Sequence, residues 1–221
     1  MITDLKARFV ARLIAERKRW RGVVLSQRFG ASPSAIYDAN FYQHDVNAHQ
    51  AASADHVAET LIELFSPSTV IDVGCGNGIY LQAFSHRNVW GVGCDGSSHG
   101  VRLCPPELFV FQHDLKDPLV VNRHFDLCLC FEVAEHIPTR YSSNLVRSCC
   151  NTSDIVVFSS APIGQGGTDH INEQPRQFWD ALFECEGFVT SGDSTAALQT
   201  AFARRNVVRW LTANARVYQR G

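Results

Sequence analysis

Short apolar runs that alternate with helical stretches are the feature of this sequence that most limits its fold. Five such runs follow one another in the middle of the chain, at residues 69–73, 89–94, 108–112, 125–131 and 155–160. Each has the length of a strand and is almost continuously apolar, as expected of strands buried on both faces of a sheet. Strands that alternate with helices predict βαβ units and a mainly parallel sheet. The sequence therefore predicts an α/β fold, in the form of a three-layer, doubly wound domain.

Three further segments complete the predicted sheet beyond Gly187. They are an apolar run at residues 188–191, a helix over about 195–211 and a final apolar run at 215–218. With these runs the predicted sheet has seven strands. In doubly wound sheets, ligands bind at the carboxyl ends of the strands, so we expect the functional residues in the loops that follow the strands.

Upstream of the sheet, the sequence predicts two helices joined by an aromatic segment. The first helix is amphipathic, with apolar residues at helical spacing at Ile2, Leu5, Phe9 and Leu13. The second helix covers about residues 51–65. The segment between them is rich in aromatic residues, with Tyr37, Phe41 and Tyr42 close together. We expect this upstream region to pack outside the sheet or over its upper edge.

The composition excludes several functional classes. The chain has 221 residues, of which 45% are hydrophobic, and a formal net charge of −2. That charge argues against a basic nucleic-acid scaffold and against an acidic disordered tail. No apolar run approaches the roughly 20 residues that a membrane helix needs. Basic residues interrupt the N-terminal apolar pattern, so no signal peptide is predicted. We expect a cytoplasmic protein without membrane attachment.

Eight cysteines are present, and their positions favour buried, reduced thiols over disulfides or a zinc site. Cys128 and Cys130 alternate inside an apolar run, and the adjacent Cys149 and Cys150 are poorly placed for two ordinary bridges. No pair has the CxxC spacing that is typical of zinc knuckles. We therefore expect these thiols to belong to the core of a cytosolic protein.

A glycine-rich turn follows the first strand of the predicted sheet. Gly74, Gly76 and Gly78 stand at alternate positions directly before a helix, where glycine allows a positive φ and lets a ligand lie against bare backbone. A nicotinamide dinucleotide motif places its third glycine one residue later, where this chain has Ile79. A phosphate-binding P-loop is also excluded, because no Gly-Lys-Ser/Thr sequence follows. The nearby acidic residues decide between the other ligands.

Three acidic residues at strand ends identify the ligand by its charge. Asp72 precedes the glycines and would repel a pyrophosphate, but it suits an ammonium group held directly or through water. Asp95 closes the second strand, near the offset of about 20 residues that is typical of an acid binding ribose hydroxyls. Asp114 closes the third strand and is placed to accept from an adenine amino group, with the backbone N–H of Leu115 beside it. The site therefore suits adenosine with a cationic amino-acid tail and no phosphates, and S-adenosylmethionine fits that description.

These elements resemble the motifs of class I S-adenosylmethionine-dependent methyltransferases over roughly residues 51–188. The sequence Asp-Val-Gly-Cys-Gly-Asn-Gly, which contains Cys75, is similar to their first motif, and Gly-Cys-Asp-Gly, which ends at Gly96, to their second-strand acid. The sequence Gln-His-Asp-Leu is similar to their adenine motif. The resemblance implies a Rossmann-like methyltransferase fold with an antiparallel seventh strand. It also implies that Phe131 packs on the adenine or methionine part of the cofactor, although a core position suits this residue equally well.

A cluster of carboxylates and histidines follows the fourth predicted strand. If a helical turn begins there, Glu132, Glu135 and His136 share one face, and the next loop brings His170 beside them. Such a set is able to hold a divalent cation such as Mg²⁺, Mn²⁺ or Zn²⁺. It resembles small-RNA terminal 2′-O-methyltransferases and the Glu-His element of ubiquinone-pathway O-methyltransferases, which implies a metal that lowers the pKa of a substrate hydroxyl. Without a metal, His136 or His170 is the predicted general base, and Glu132 completes the predicted catalytic set.

Two other segments are candidates for contacts with the acceptor substrate. The sequence after the fifth strand resembles bacterial methyltransferases of sugars and small natural products, which implies that Asn172 and Arg176 bind polar substrate groups. Tyr37 and Tyr42 predict a lid that keeps water from the site. The predicted domains are an N-terminal helical cap or lid over residues 1–48 and an S-adenosylmethionine-binding, Rossmann-like catalytic domain over residues 49–221.

The leading hypothesis for the function is O-methylation of a small-molecule hydroxyl, on a sugar, a phenol or a natural product. A second, suggested by the predicted metal-binding cluster, is metal-dependent 2′-O-methylation of the 3′-terminal ribose of RNA, for which five arginines would offer a phosphate-contacting surface unless they form a solvated helix face. These are Arg204, Arg205, Arg209, Arg216 and Arg220. A third is attack on the aminobutyrate carbon of the cofactor, which releases methylthioadenosine, and a fourth is a non-enzymatic, cofactor-binding scaffold. We expect a small-molecule partner rather than a nucleic acid, and a monomer or a homodimer.

Overall fold

The structure is a computed structural model that describes residues 33–37, 42 and 47–221. The predicted amphipathic helix over Ile2 to Leu13 lies outside the described residues, as does Phe41. Of the predicted cap, only short parts are described, and the division at residue 48 stays a prediction. None of the helices in the described part is long and apolar enough to span a bilayer.

A seven-stranded sheet forms the centre of the described part of the chain. Its strands are β1 (Thr69–Val73), β2 (Trp90–Asp95), β3 (Phe109–Gln112), β4 (Leu127–Phe131), β5 (Ile155–Ser159), β6 (Phe188–Thr190) and β7 (Arg216–Arg220). The order across the sheet is β3-β2-β1-β4-β5-β7-β6. The pairs among β1 to β5 are parallel, and β7 runs antiparallel to both β5 and β6. The predicted fold class is therefore confirmed, including the antiparallel seventh strand.

Helices cover both faces of the sheet and give the predicted three layers. Those of the described chain are α1 (Pro33–Ile36), α2 (Asn47–Phe65), α3 (Ile79–Ser85), α4 (Ser98–Leu103), α5 (Ser142–Thr152), α6 (Arg176–Cys185), α7 (Gly192–Arg204) and α8 (Arg209–Asn214). Two 3₁₀ turns, Ala134–His136 and Thr139–Tyr141, follow β4. Apolar residues of α2, α3 and α7 form one core cluster with the sheet, and those of α5 and α6 form the other.

The predicted helix over residues 195–211 is interrupted, and this part of the prediction was wrong. The helix α7 ends at Arg204, and α8 begins only at Arg209. Between them, Asn206 has a left-handed backbone with φ +55°, a conformation that asparagine adopts more readily than most residues. Val207 is buried in the core. The break turns α8 towards the carboxyl ends of the strands, where its residues line a crevice.

The strand order produces this crevice. The strands β1 and β4 are adjacent, yet the chain continues from β1 to β2 on one side and from β4 to β5 on the other. Connections that diverge in this way leave a gap above the carboxyl ends of the two strands, where doubly wound folds bind ligands. The residues that follow β1 and β4 are therefore positioned for function.

The connection from β3 to β4 carries no helix in residues 113–126, all of which are described. It is held to α5 by a hydrogen bond in which the Leu119 amide donates to Ser148 Oγ at 2.9 Å. The sheet near β3 stays partly open as a result. Trp90 is 38% exposed, and Phe109 is 62% exposed.

Two phenylalanines allow the packing of the sheet to be tested. Phe183 in α6 is fully buried and stacks on Tyr218 with 3.8 Å between ring centroids, whereas Phe109 lies in the open region. Because it removes buried surface and leaves a cavity, Phe183→Ala is expected to lower the free energy of unfolding by about 3–5 kcal/mol. The matched control Phe109→Ala should change it by less than about 1 kcal/mol. Urea unfolding measures both values, and equal losses would contradict the described packing.

Candidate active site

A crevice of about 1000 Å³ opens above the carboxyl ends of the central strands. Sites for one drug-sized ligand usually enclose roughly 300–1,000 Å³, so this crevice has room for a cofactor and a small acceptor. The predicted site residues that line it are Tyr37, Tyr42, Asp72, Gly74, Cys75, Gly76, Asp95, Gly96, Asp114, Leu115, Phe131, Glu132, Glu135, His136 and His170. Gly78, Asn172 and Arg176 do not line it.

The glycine turn after β1 forms one wall of the crevice. Gly74 and Gly76 have φ values of +88° and +55°, in the left-handed region that favours glycine. A side chain at Gly74 would also collide with a neighbour, because a Cβ atom there would lie 2.3 Å from Val133 Cγ2. Glycine at these two positions therefore suits the left-handed backbone of the wall, and at Gly74 it also leaves room for Val133.

Gly78 has a different role from the first two glycines. It directly precedes α3 with φ +78°, and a Cβ atom there would lie 3.0 Å from Leu108 Cδ1 and 3.1 Å from Cys104 Sγ. Gly78 thus lets the start of the helix pack against the connection between β2 and β3. The structure does not bring it into the crevice, where the sequence had placed it.

Asp72, in β1, is a buried carboxylate with one oxygen that lacks a hydrogen-bond partner. The residue is 1% exposed, and its Oδ2 atom has no partner among the described residues. Burial, together with the charge of the nearby Asp95, raises the pKa of Asp72 to about 8. Because an ionised carboxylate in such a place is costly without a cation, this oxygen suits a positively charged ligand group.

Asp95, at the end of β2, braces the glycine turn. Its Oδ2 atom accepts from the Gly76 amide at 2.9 Å, and its Oδ1 atom accepts from the Ser97 amide at 2.7 Å and the Tyr42 hydroxyl at 3.4 Å. A carboxylate accepts about four hydrogen bonds, so these donors leave capacity for a further one. The sequence predicted only a ribose-binding role for Asp95, and its support of the turn is a second role.

The residues predicted to contact adenine also line the crevice. Asp114 is ion-paired with Lys116, with 3.0 Å between Oδ2 and Nζ, and Leu115 is buried. Phe131, at the end of β4, is largely buried, and its ring meets that of Tyr80 edge to face with 5.3 Å between centroids. Phe131 therefore belongs both to the core and to the crevice wall, and its contact with the cofactor stays a prediction.

Three of the four predicted cluster residues come together on the β4 and β5 side of the crevice. Glu135, His136 and His170 each offer one ligand atom, and these atoms lie within 4.8 Å of one another. Glu132 is not part of this group, and the helical face that it was predicted to share does not form. Its left-handed backbone, with φ +54°, precedes the 3₁₀ turn, and helical spacing therefore does not apply. Instead, Glu132 Oε2 accepts a hydrogen bond from Gln165 Nε2 at 3.3 Å.

His136 is held in a defined tautomer. Its Nδ1 atom lies 3.2 Å from the carbonyl oxygen of Asp169, and because a carbonyl only accepts, Nδ1 carries the proton and Nε2 the lone pair. Desolvation and the neighbouring His170 lower the pKa of His136 to about 3. The neutral ring is suited to accept a hydrogen bond or to bind a cation, and it is a weak proton acceptor.

Glu135 is fully buried, and neither of its carboxylate oxygens has a hydrogen-bond partner in the described part of the chain. Burial and the charge of Glu132 raise the pKa of Glu135 well above its usual range. Its main-chain carbonyl is fixed by the amides of Ile171 and Asn172, at 2.9 and 3.0 Å. A carboxylate in this position favours a bound proton or a bound cation.

The structure gives Asn172 and Arg176 roles other than the predicted substrate binding. Asn172 is 2% exposed, and its Nδ2 atom donates to the Ala134 carbonyl and to Ser142 Oγ, both at 3.1 Å. It therefore ties the loop before α6 to the 3₁₀ turn after β4. Arg176 Nη2 donates to the Ala213 carbonyl at 2.9 Å, outside the crevice.

The two tyrosines of the predicted lid line different parts of the crevice. Tyr42 is buried against the glycine turn, where a Cβ atom at Gly76 would lie 3.1 Å from its ring. Tyr37 lies beside His136 with 5.2 Å between ring centroids, and its hydroxyl donates to Asp169 Oδ2 at 3.2 Å. One tyrosine therefore contacts the glycine turn and the other the histidine pair, while opening and closing of a lid stays a prediction.

Several residues in the crevice wall or directly behind it escaped prediction from the sequence. Gln165 bridges Glu132 and Asn214 of α8, since its Oε1 atom accepts from Asn214 Nδ2 at 2.9 Å. Burial opposes ionisation of Glu173, but hydrogen bonds from two loop amides and from His170 lower its pKa overall. The only sequence signal for this loop is its glycine content next to a histidine. For α8 there was none, because its position depends on the break after α7.

Two known proteins are similar to this chain in sequence. The chain is 36% identical over 85 residues to tRNA (carboxymethyluridine(34)-5-O)-methyltransferase ALKBH8 from Macaca fascicularis, a match that covers 38% of this chain and 12% of the relative. It is 26% identical over 154 residues to a ubiquinone biosynthesis O-methyltransferase from Nitrosomonas europaea, which covers 65% of this chain and 59% of the relative. The chain thus spans less than two thirds of the length of either relative.

A solved structure shares the fold. CalS10, an S-adenosylmethionine-bound amino pentose methyltransferase from Micromonospora echinaspora, is similar with a TM-score of 0.58 and 14% identity, over 76% of this chain and 90% of its own. At this identity the similarity shows the fold alone. The sequence also matches a methyltransferase-domain family over residues 42–206, well over half of the chain. The chain therefore belongs to the class I S-adenosylmethionine-dependent methyltransferase family.

Proposed function

We propose that this chain transfers the methyl group of S-adenosylmethionine to a hydroxyl group of a small molecule, such as a sugar, a phenol or a natural product. The observation that carries the proposal is the two-sided character of the crevice. On one side, Asp72 offers a buried, unpartnered oxygen to a cation. On the other side, the rings of His136 and His170 meet edge to face with 5.0 Å between centroids. A cationic nucleoside and a hydroxyl acceptor need these two surfaces side by side.

Each part of S-adenosylmethionine has a matching group in the crevice. Asp72 suits the ammonium group, and the remaining hydrogen-bonding capacity of Asp95 suits a ribose hydroxyl. The carboxylate of Asp114 and the amide of Leu115 suit adenine, and Phe131 offers an apolar wall. The bare glycine turn lets the ligand approach the backbone closely.

Methyl transfer from a sulfonium is an in-line displacement, so the nucleophile, the methyl carbon and the sulfur must align. Positioning of this kind lowers the barrier by up to about 7–11 kcal/mol. The acceptor hydroxyl must also lose its proton, and His170 is the proposed base. Its Nδ1 atom lies 3.2 Å from Glu173 Oε1, and this carboxylate stabilises the imidazolium that forms. His136 Nδ1 contacts a carbonyl and not a carboxylate, so His136 is assigned the role of orienting the acceptor through Nε2.

A divalent cation is a second way to activate the hydroxyl. Glu135, His136 and His170 offer one carboxylate and two imidazoles, a mixed set that suits zinc or manganese better than magnesium, which prefers oxygen ligands. The unpartnered oxygens of Glu135 fit such an ion. A cation bound there would lower the pKa of the acceptor hydroxyl.

The basic residues that would contact the phosphates of an RNA acceptor give little support to methylation of RNA. Arg205 is paired with Glu63, and Arg220 with Asp154. Arg209 lines the crevice. Arginines that already face carboxylates contribute less to a phosphate-binding surface, so a small-molecule acceptor is the better proposal.

The charge of Asp72 provides a test of the cofactor side. Because Asp72→Asn removes the charge that pairs with the ammonium group, and such a hydrogen bond contributes about 1.5–3 kcal/mol, S-adenosylmethionine should bind about 10- to 100-fold more weakly. In the free protein the pKa of Asp72 is about 8, so the carboxylate is mostly protonated below that pH. The affinity of the wild type should therefore rise from about pH 6 to about pH 8, above which the ammonium group of the ligand loses its proton, and the variant should lack this rise. Isothermal titration calorimetry measures both effects.

The control for this test is Asp193→Asn, which changes an exposed aspartate in the first turn of α7. It should leave the affinity and its pH dependence at the wild-type values. Equal weakening in both variants, or the same pH dependence in Asp72→Asn as in the wild type, would contradict the assignment of Asp72.

By-product analysis distinguishes methyl transfer from other uses of the cofactor. Incubation with S-adenosylmethionine and a panel of sugar, phenol and natural-product acceptors should release S-adenosylhomocysteine, as measured by chromatography with mass detection. Methylthioadenosine as the main product would indicate attack on the aminobutyrate carbon, and no product with any acceptor would favour a scaffold. Activity that a chelator removes and zinc or manganese restores supports the metal. Activity that a chelator leaves unchanged supports the histidine base.

A further inference from the structure

The loop between β5 and α6 forms much of the crevice wall on the acceptor side. Its lining residues are Pro162, Gln165, Gly166, Gly167, Thr168, Asp169, His170 and Ile171. A loop of this length is held in one conformation only if its backbone groups find partners. Its main anchor is Glu173, a residue that does not line the crevice itself.

Glu173 connects three points of the loop through one carboxylate. Its Oε2 atom accepts from the Gly164 amide at 2.7 Å, and its Oε1 atom accepts from the Gly166 amide at 2.6 Å. The same Oε1 atom lies 3.2 Å from His170 Nδ1. The side chains of Glu173 and His170 are 14% and 11% exposed, so water competes little for these contacts. The loop backbone and the histidine ring are therefore fixed by the same group.

The glycines of the loop are placed for this contact. Gly164 and Gly166 have φ values of +86° and +69°, and no atom would contact a Cβ at either position. A side chain would therefore have enough space at both positions. Glycine is favoured there because the backbone that points both amides at the carboxylate is left-handed. At Gly167, by contrast, a Cβ atom would lie 2.3 Å from His170 Nε2. The backbone at Gly167 therefore packs closely against the ring near Nε2, while Glu173 contacts Nδ1.

We propose that Glu173 is a positioning residue for His170, an inference that rests on the proposed function for its catalytic consequence. A carboxylate only accepts hydrogen bonds, so the contact with Glu173 requires the proton of the neutral ring to be on Nδ1. The lone pair is then on Nε2, the nitrogen that does not contact Glu173. Glu173 thus selects the tautomer of His170 and fixes its orientation beside Glu135 and His136.

Two variants separate this role from simple support of the loop. Glu173→Leu keeps most of the side-chain volume but removes every acceptor, so nothing holds the proton on Nδ1 of His170. Glu173→Gln keeps one acceptor oxygen, which cannot serve all three donors, and should be intermediate. The matched control is Glu184→Leu, because Glu184 lies exposed on α6, away from the crevice.

The experiment is nitrogen NMR of the full chain labelled with ¹⁵N-histidine, with His170 assigned by the signal that His170→Gln removes. The wild type and Glu184→Leu should show the Nδ1–H tautomer of His170, and Glu173→Leu should shift it towards Nε2–H. S-adenosylmethionine affinity, measured by calorimetry, should stay within about twofold, because the cofactor side is untouched. An Nε2–H tautomer in the wild type, or an unchanged tautomer in Glu173→Leu, would overturn the proposal.

The catalytic consequence is measured separately with whichever acceptor of the panel reacts. Loss of a partner that orients a functional histidine typically costs about 10- to 100-fold in activity, so kcat of Glu173→Leu should fall by that factor with the KM for S-adenosylmethionine unchanged. Glu173→Gln should recover part of this loss. An unchanged kcat would overturn the positioning role. If no acceptor reacts, the proposed function fails, while the NMR result still decides the contact between Glu173 and His170.

Discussion

The unpartnered carboxylate of Asp72 is the constraint on which the cofactor side of the site depends. A buried charge without a partner is unfavourable, and the surrounding protein supplies no cation to compensate that of Asp72 in the described residues. Its Oδ2 atom has no partner among the described residues, and the charge of the neighbouring Asp95 adds to the cost of ionisation. Asp95 is in turn committed to the amide of Gly76, so it cannot move away without loss of the turn. A cationic ligand relieves these conditions together, which is the physical reason to assign a sulfonium nucleoside to this crevice.

Local patterns predicted this side of the site well. The strands and the glycine turn depend on residues that are adjacent in the sequence, and the ends of parallel strands meet at one edge of the sheet. The turn after β4 was harder to predict from the sequence. The predicted cluster of four residues assumed helical spacing, and the left-handed backbone of Glu132 breaks that spacing. Asn172 was misassigned for another reason. A polar loop residue gives no sign in the sequence that it will be buried against the 3₁₀ turn after β4.

The acceptor side depends on contacts between distant segments, which local patterns do not contain. Gln165 joins Glu132 to Asn214, and Asn214 reaches the crevice only because the chain turns at Asn206. The sequence predicts one helix over this segment, whereas the structure has two. Glu173 also escaped prediction from the sequence, because the path of the loop brings together the three groups that it contacts. The cofactor was therefore predictable from the sequence, while the acceptor is set by tertiary structure.

The most direct test of the central claim is a calorimetric comparison of S-adenosylhomocysteine with an analogue in which a hydrogen replaces its amino group. The two ligands differ only at the group assigned to Asp72. If that carboxylate exists to bind the ammonium group, the analogue should bind at least about tenfold more weakly. Equal affinity for the two ligands would contradict the account.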